Sequence, residues 1–469
     1  MRKLAQALLL ASLITAPSLG VSPPAWAEEK PDPAKLKQEM DALKARLSEL
    51  EKKLEKPEKS EKPATAPAAA AVELQPPSWP VSGIYTAPDT KDLGQVTGIS
   101  WLNGTKARGW IDTYYVYNFN TPDRTTVNTN QFASVIKGRN VSIEGRTFDI
   151  HHNSFGLSLA ELEIEKVPEP GRVGFKFDMA FGETQDIIVD SIRGGLGPTA
   201  FDSVTDFDKT FQHASVSYLA PIGKGLRIDA GKFVTHIGGE TIETVKNWNY
   251  SHSFFYTYAI PFQDTGIRLN YPWSDTFYTE LYILNGWNVT VDNNKGKTVG
   301  PSIGWTPAPW ISLYANYLVG PERNDNTRDD RHLVDMQLFL SPFDRWNFLI
   351  NFDYGVDKNA IAGPPVADAQ WYGVTGYARY KLSERFEPSL RLEYYNDPDG
   401  FTTGVAQNLR SVTLTLNTKV GLGKGSGSII LLRPEIRYDR SNAPFYTKDG
   451  NFRSTKNQVT VGLGASWMF

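Results

Sequence analysis

The last residues of the chain, QVTVGLGASWMF (458–469), indicate which kind of sheet the protein forms. Apolar side chains occupy every second position: Val459, Val461, Leu463, Ala465, Trp467 and Phe469. Because strand side chains alternate between two faces, this stretch predicts a strand with one apolar face and one small, polar face. An aromatic residue ends the chain, and we expect it to lie at a membrane interface.

The same alternation recurs through much of the chain. It is found in GRVGFKFDMAFG (171–182), RHLVDMQLFL (331–340), DRWNFLINFDYG (344–355) and SGSIILLRPEIRYD (426–439). Each run has about ten residues, the length that a tilted strand needs to cross a bilayer. The charged positions of these runs share one face, so the apolar face is the one expected to meet lipid.

The connections between these runs alternate in length. VPEPG (167–171) and PIGKG (221–225) are short, whereas the segments near 120–150 and 237–262 are long. Short turns at one end and long loops at the other are typical of an outer-membrane barrel. We therefore predict an all-β fold, a transmembrane antiparallel β-barrel of about sixteen strands over residues 108–469. A soluble sandwich would also alternate, but its loops need not alternate in length.

Three segments precede the predicted barrel. Residues 1–27 have basic residues, an apolar run and the small-residue site AWA, and they predict a signal peptide cleaved near Ala27. Residues 33–56 predict a short periplasmic coiled-coil helix, although a single amphipathic helix packed on a domain is an alternative. Residues 57–107 form a Pro/Ala-rich linker and N-terminal segment. The heptad positions are Leu36, Met40, Leu43, Leu47, Leu50 and Leu54.

Composition excludes several kinds of chemistry. The 469 residues include no cysteine, which excludes disulfides, thiolate metal sites and covalently attached c-type haem. The net charge of −3 and the lack of a basic stripe argue against nucleic acid as a partner. We predict no metal site and no cofactor, because the paired histidines His151 and His152 have no further ligands at useful spacing.

Four stretches resemble the OmpL-like putative beta-barrel porin-2 family of Gram-negative outer membranes. They are GWIDTYYVYNFNTPD (109–123), NSFGLSLAELEIEK (153–166), GFKFDMAFG (174–182) and, most specifically, NWNYSHSFFYTYAIPFQDTGIRLNY (247–271). The resemblance implies an outer-membrane barrel that passes small solutes, and it implies no catalytic motif. A more distant likeness to phosphate-selective porins would predict a ladder of inward lysines and arginines, which the sequence does not clearly contain.

The charged residues on the inward face are the candidates for lining a pore. They are Lys176, Asp178, Arg227, Asp229, Arg268, Asp335, Asp353, Arg391, Glu393, Arg433, Glu435 and Arg437. The densest cluster is RPEIR (433–437), whose three charges share one face of a strand. It is interpreted either as a pore wall that orders permeating ions or as a cross-strand ladder of ion pairs that stabilises a polar lumen.

The expected function is a water-filled channel for passive diffusion of ions and small hydrophilic solutes. The expected partners are membrane lipid, those solutes and further copies of the chain in a trimer. Two alternatives remain: a barrel that sheathes a separate multihaem cytochrome, and a more selective anion or phosphate porin. An enzyme is not expected, although His213, Ser215 and Ser217 share the inward face of a predicted strand, and histidine beside serine is a catalytic combination.

Overall fold

The barrel closes between the first and the last of its strands. The computed structural model describes residues 92–122, 143–192, 206–421 and 428–469. Sixteen antiparallel strands form the barrel, as predicted. They are β1 (Thr105–Asn118), β2 (Ser154–Lys166), β3 (Val173–Phe181), β4 (Phe211–Ala220), β5 (Leu226–Val234), β6 (Gln263–Pro272), β7 (Phe277–Leu284), β8 (Thr298–Ala308), β9 (Ile311–Pro321), β10 (Asp330–Phe343), β11 (Trp346–Ile361), β12 (Ala367–Tyr380), β13 (Phe386–Asp397), β14 (Gln407–Gly421), β15 (Ile429–Ser441) and β18 (Asn457–Met468). A separate two-stranded sheet joins β16 (Tyr446–Lys448) to β17 (Asn451–Thr455).

The last strand of the barrel pairs with the first, and it has the two faces that its sequence predicts. Trp110 lies opposite Met468, and the pairing continues to Asn118 opposite Thr460. Along β18, Thr460 and Ser466 are buried inside the barrel, whereas Leu463 and Trp467 are exposed on its outer face. Because a shift of one residue would exchange the two faces, this alternation fixes the register.

The connections alternate between short and long around most of the barrel, as expected, but the β11–β12 connection at residues 362–366 is as short as a turn. Residues 221–225 and 273–276 make short turns, whereas residues 235–262 and 442–456 make long loops. Exposed aromatic side chains lie beside the short turns. They include Trp273, Trp305, Trp310, Phe343, Trp346 and Phe469. This is the arrangement of an interfacial girdle at the periplasmic end.

Short helices complete the described part of the chain. They are α1 (Leu93–Thr97), α2 (Glu183–Ile192) and α3 (Asp206–Thr210), 3-10 helices at Ser100–Leu102 and Thr244–Lys246, and a π-helix at Phe255–Ala259. Strand β1 begins at Thr105, slightly before the predicted boundary at 108. Among the described helices, none has the length and apolar character needed to cross a membrane. The predicted signal peptide, coiled coil and most of the linker lie outside the described residues.

Candidate functional site: the barrel lumen

One long connection runs inside the barrel. Residues 235–262, which join β5 to β6 and are named the luminal loop here, are almost entirely buried. Thr244 donates a hydrogen bond to Asp112 of β1 at 2.9 Å, and the backbone N–H of Gly239 donates to Asn351 of β11 at 2.8 Å. The side chains of Asp112 and Asn351 point into the barrel. A loop that starts at β5 can contact both of them only by crossing the lumen, so the luminal loop fills part of it.

Three inward arginines fasten the luminal loop to the barrel wall. Arg433 donates to the backbone carbonyls of Thr244, at 2.5 Å, and Asn247, at 2.8 Å. Arg437 donates to the carbonyl of His252 at 2.7 Å. Arg391 donates to the same carbonyl at 3.2 Å. All three arginines are 0% exposed.

This use of arginine follows from the backbone of the loop. The loop lacks a neighbouring strand, yet its buried carbonyls require donors, because an unpaired buried carbonyl is costly. A guanidinium group offers five N–H donors in a fixed plane, so one side chain satisfies several carbonyls. The wall also supplies acceptors: Glu435 accepts from the N–H of Tyr250 at 2.8 Å, and Glu393 accepts from the N–H of Phe254 at 2.6 Å.

Ion pairs neutralise the charge that these arginines bring into the lumen. Arg391 is 2.9 Å from Glu240 of the luminal loop and 2.8 Å from Glu393 of its own strand. Burial raises the pKa of Glu240, but Arg391 and the N–H of Ser253 outweigh burial and hold it below its usual range. Glu240 is therefore ionised at neutral pH and forms a charged contact with the wall.

An aromatic cluster packs the loop from its other side. Phe254, Phe255 and Tyr256 of the loop are buried together with Trp371 of β12 and Tyr395 of β13. The indole N–H of Trp371 donates to the carbonyl of Ala259 at 3.1 Å. Aromatic packing of this kind buries a large apolar area, so the loop is held as a folded element within the barrel.

Other long connections add to the same cluster. Phe148 and Ile150 come from the β1–β2 connection, Ile187 comes from α2, and Phe445 comes from the connection that leads to β18. All four side chains are buried with the luminal loop. The loop end of the lumen thus contains a hydrophobic core built from connections, while the wall itself carries the polar residues.

The wall formed by β3, β5 and β6 is different, because its charged side chains keep contact with solvent. The side chain of Lys176 is 22% exposed, whereas its partner Glu163 is 2% exposed. The side chain of Arg268 is 18% exposed, whereas its partner Asp229 is 1% exposed. The carboxylates are therefore covered and the positive groups reach the solvent, which makes the accessible surface of this wall cationic.

The two walls face each other across the barrel. In the circular order of the strands, β5 and β6 lie half-way round from β13 and β14. The luminal loop is anchored on the β13–β15 side through Arg391 and Arg433. Arg227 and Arg268 lie on the opposite side, so positive groups border the space left by the loop there, whereas Lys176 of β3 lies between the two sides, four strands from β15.

All the predicted pore-lining residues point inward, but the structure separates them into three groups. Lys176, Asp178, Arg227, Asp229 and Arg268 lie on the cationic wall. Arg391, Glu393, Arg433, Glu435 and Arg437 hold the luminal loop. Asp335 and Asp353 share the amide of Asn351, at 2.7 and 3.1 Å, in a buried network. Whether any of them lines the path of a solute stays a prediction.

The RPEIR cluster takes part in the ion pairs that one interpretation predicts, since Arg437 lies 2.6 Å from Asp439 and 3.8 Å from Glu393 of β13, and it also holds the luminal loop. Its arginines bind carbonyls of the luminal loop, and its glutamate binds loop N–H groups. The sequence pattern placed these charges on one inward face, but it contained no sign of the segment that they hold. The segment has its own signal in FFYTYA (254–259), which is too aromatic for a solvated loop between two strands.

The histidines singled out from the sequence are all engaged by neighbours. His213 lies 2.8 Å from the hydroxyl of Ser215. His151 is 2.5 Å from Glu183, and His152 accepts a hydrogen bond from the N–H of Asn118 at 2.9 Å. These contacts fit ordinary polar packing at the barrel wall and its loops.

Comparison with solved structures finds chains with low sequence identity. The outer membrane channel DcaP of Acinetobacter baumannii is 11% identical with a TM-score of 0.49, and the match covers 78% of this chain and 97% of that one. An anion-selective porin from Comamonas acidovorans is 13% identical with a TM-score of 0.48, covering 78% and 99%. The trimer form of OmpT of Vibrio cholerae is 11% identical with a TM-score of 0.43, covering 78% and 99%.

A comparison with curated proteins finds no match. A family model does match, and it covers residues 104–469. This range begins just before β1 and includes every strand of the barrel together with the luminal loop. The chain belongs to the family described as "Putative beta-barrel porin-2, OmpL-like", and it is an outer-membrane β-barrel of the porin type.

Proposed function

We propose that the protein forms a water-filled channel through which ions and small hydrophilic solutes diffuse passively. The observation that supports it is the unequal exposure of the two walls. Lys176 and Arg268 keep contact with solvent, whereas Arg391 on the opposite wall is completely covered by the luminal loop. The proposed path therefore runs between the luminal loop and the cationic wall.

A cysteine block tests this path, since the chain has no cysteine of its own. In planar bilayers, the variant Lys176→Cys should conduct until a bulky methanethiosulfonate reagent is added, and its current should then fall. Thr413→Cys is the matched control, because Thr413 is buried behind the luminal loop. Its current should not change with the reagent.

Two outcomes contradict the proposal. A folded protein that inserts and carries no current would exclude the channel. Equal loss of current in Lys176→Cys and Thr413→Cys would exclude the path, because it would place solute on both sides of the luminal loop. The loop also occupies space that an enclosed cytochrome would need, which favours the channel over a cytochrome scaffold.

We propose a preference for anions as the second functional feature. The basic side chains that keep contact with solvent on the cationic wall are Lys176, Arg227 and Arg268, which are 22%, 13% and 18% exposed. Fixed charge in a narrow pore sets the local population of counter-ions. The reversal potential across a salt gradient should therefore have the sign of anion selectivity, and a cation-selective potential would overturn this proposal.

We propose that the mature chain is a trimer whose periplasmic coiled coil assists assembly. The support is the heptad pattern of residues 33–56, which is only about three heptads long and is marginal as an isolated helix. Light scattering in mild detergent should give a trimer mass for the full chain. A chain that begins at Val81 should dissociate more readily, and a monomer mass for both proteins would exclude the trimer.

We also propose that residues 1–27 direct export and are removed. The support is the AWA motif before Glu28. N-terminal sequencing of the protein isolated from outer membranes should therefore begin at Glu28. A sequence that begins at Met1 would contradict the proposed cleavage.

A further inference from the structure

Three acidic side chains meet at one point of the barrel wall. Glu161 and Glu163 are two positions apart on β2 and share its inward face. Asp178 of β3 lies directly opposite Glu163 in the strand register. One carboxylate oxygen from each residue lies within 4.8 Å of the others, and all three residues are buried. These residues are named the carboxylate cluster.

Glu161 has no partner for its carboxylate. Neither of its oxygens accepts a hydrogen bond from the part of the chain that the structure describes, and the residue is only 4% exposed. The nearby ammonium group of Lys176 pairs with the other two carboxylates of the cluster, at 3.3 Å from Glu163 and 3.4 Å from Asp178. A buried carboxylate without a donor is costly, so this position calls for a further positive group.

The basic residues around the carboxylate cluster do not balance its negative charge. The acidic residues of this network are Glu161, Glu163, Glu165, Asp178 and Glu243. The basic residues in contact with them are Arg108, Lys176 and Lys246. Five acidic groups against three basic groups leave an excess of two negative charges, which equals the charge of one divalent cation.

We propose that the carboxylate cluster binds a divalent cation, with calcium as the best fit. Calcium binds oxygen ligands at about 2.3–2.6 Å, so two ligands of one ion are at most about 5 Å apart, in keeping with the cluster. Magnesium sheds its water reluctantly and is rarely held by a buried set of protein carboxylates. The absence of thiolates and of imidazole ligands from the cluster disfavours zinc.

The cation would have a structural effect through the luminal loop. Lys246 of the loop lies 3.6 Å from Glu163 and 2.7 Å from Glu243. An ion at the carboxylate cluster would neutralise the excess negative charge beside Lys246 and so stabilise the contact between the luminal loop and β2. The proposal does not rest on the proposed permeation, since binding is measured without current.

Terbium luminescence tests the site in the purified full-length protein. Trp110 lies directly opposite Glu161 in the register of β1 and β2, so its excitation should sensitise a bound Tb³⁺ ion. After treatment with a chelator, Tb³⁺ should bind saturably at one ion per chain and be displaced by Ca²⁺. Calorimetry with Ca²⁺ alone should give the same stoichiometry.

Variants connect the signal to the cluster. Glu161→Gln and Asp178→Asn should each weaken Ca²⁺ binding by at least about 10-fold, a loss that is found even for partners of a ligand. Glu387→Gln is the matched control, because Glu387 is an inward carboxylate on β13, five strands from β2, that already has Lys419 at 3.2 Å. Its affinity should equal that of the unaltered protein.

Clear outcomes overturn the proposal. Absence of saturable binding near neutral pH would mean that protons, and not a cation, compensate Glu161. Unchanged affinity in Glu161→Gln would place any bound ion elsewhere. If Glu161→Gln fails to fold, Glu161→Asp retains the charge, and it should bind Ca²⁺ with reduced but measurable affinity. Full affinity in that variant, together with full affinity in Asp178→Asn, would equally exclude the site.

Discussion

At the scale of single residues, Arg391 shows how one side chain replaces a missing strand. It donates to Glu393 on its own strand, to Glu240 on the luminal loop and to the carbonyl of His252. Each of these three residues is buried. The Arg391 side chain therefore neutralises two carboxylates and supplies a donor to a backbone carbonyl at the place where the loop meets the wall.

Replacing Arg391 by methionine should destabilise the barrel strongly. Glu240 would lose its arginine partner and Glu393 would keep only Arg437, at 3.8 Å, and removing one partner of a buried pair costs about 3–5 kcal/mol. Unfolding of the detergent-solubilised protein in guanidinium, followed by tryptophan fluorescence, measures the change. Arg410→Met is the control, since Arg410 is exposed on the outer face. An equal loss in both variants would argue against the anchoring role.

Gly464 permits the closest approach between the loop and the closing strand. A Cβ atom at this position would lie 2.1 Å from the ring of Tyr250, whereas a Cβ atom at Gly376 would meet nothing within 4 Å. Gly464→Ala should therefore lower the free energy of unfolding by about 1–3 kcal/mol, the usual cost of overpacking. Gly376→Ala should be nearly neutral in the same guanidinium assay. Similar values for both would mean that the ring moves aside freely.

At the scale of elements, the luminal loop behaves as a small folded unit within the barrel. Its backbone is anchored by Arg433 and Arg437, and its aromatic face packs on Trp371. His252 sits between these contacts, with its ring nitrogen 2.7 Å from the carbonyl of Thr241. Burial lowers the pKa of His252 below its usual value, with smaller contributions from Arg391 and Arg433, despite the opposing charge of Glu240.

The depressed pKa of His252 predicts that acid weakens the loop. In the unfolded chain the pKa of histidine is about 6.5, whereas in the folded protein His252 binds a proton only at lower pH. The stability contribution is therefore complete above about pH 6.5 and is lost as the pH falls toward the folded pKa. Comparing guanidinium midpoints between pH 7.5 and 5.5 should show a smaller decrease in His252→Gln than in the unaltered protein. Identical decreases would assign the effect to other groups.

At the scale of the whole molecule, the barrel divides its inward charges between two tasks. On the cationic wall, Lys176 and Arg268 keep contact with solvent. On the β13–β15 side, Arg433 and Arg437 are buried and donate hydrogen bonds to the luminal loop. Charges of the first kind contact solvent, and in the proposed channel they act on ions in the lumen. Charges of the second kind act through the position of the loop, since they are covered.

Two double variants separate these tasks in planar bilayers. Lys176→Gln with Arg268→Gln should shift the reversal potential toward cations, because it removes positive groups that reach the solvent. Arg433→Gln with Arg437→Gln should instead change the size and steadiness of the single-channel current by loosening the luminal loop. A larger shift of the reversal potential in the second variant would contradict this division.

The sequence by itself determined the barrel. Period-two alternation in stretches such as QVTVGLGASWMF and the alternating connection lengths depend only on local chemistry, because lipid on one face and a polar lumen on the other impose the pattern on each strand. The same alternation placed every predicted charged residue on the inward side. These features needed no knowledge of which strands meet.

Only the tertiary structure decided what the inward charges do. Arg433 and Asn247 are far apart in the sequence and are joined by a hydrogen bond of 2.8 Å inside the lumen. Glu161 and Asp178 come together because β2 and β3 pair in one particular register. Such contacts depend on barrel closure and on the path of the luminal loop, and neither leaves a periodic pattern in the chain. The physical reason is that alternation specifies a face, whereas a site requires partners from distant strands.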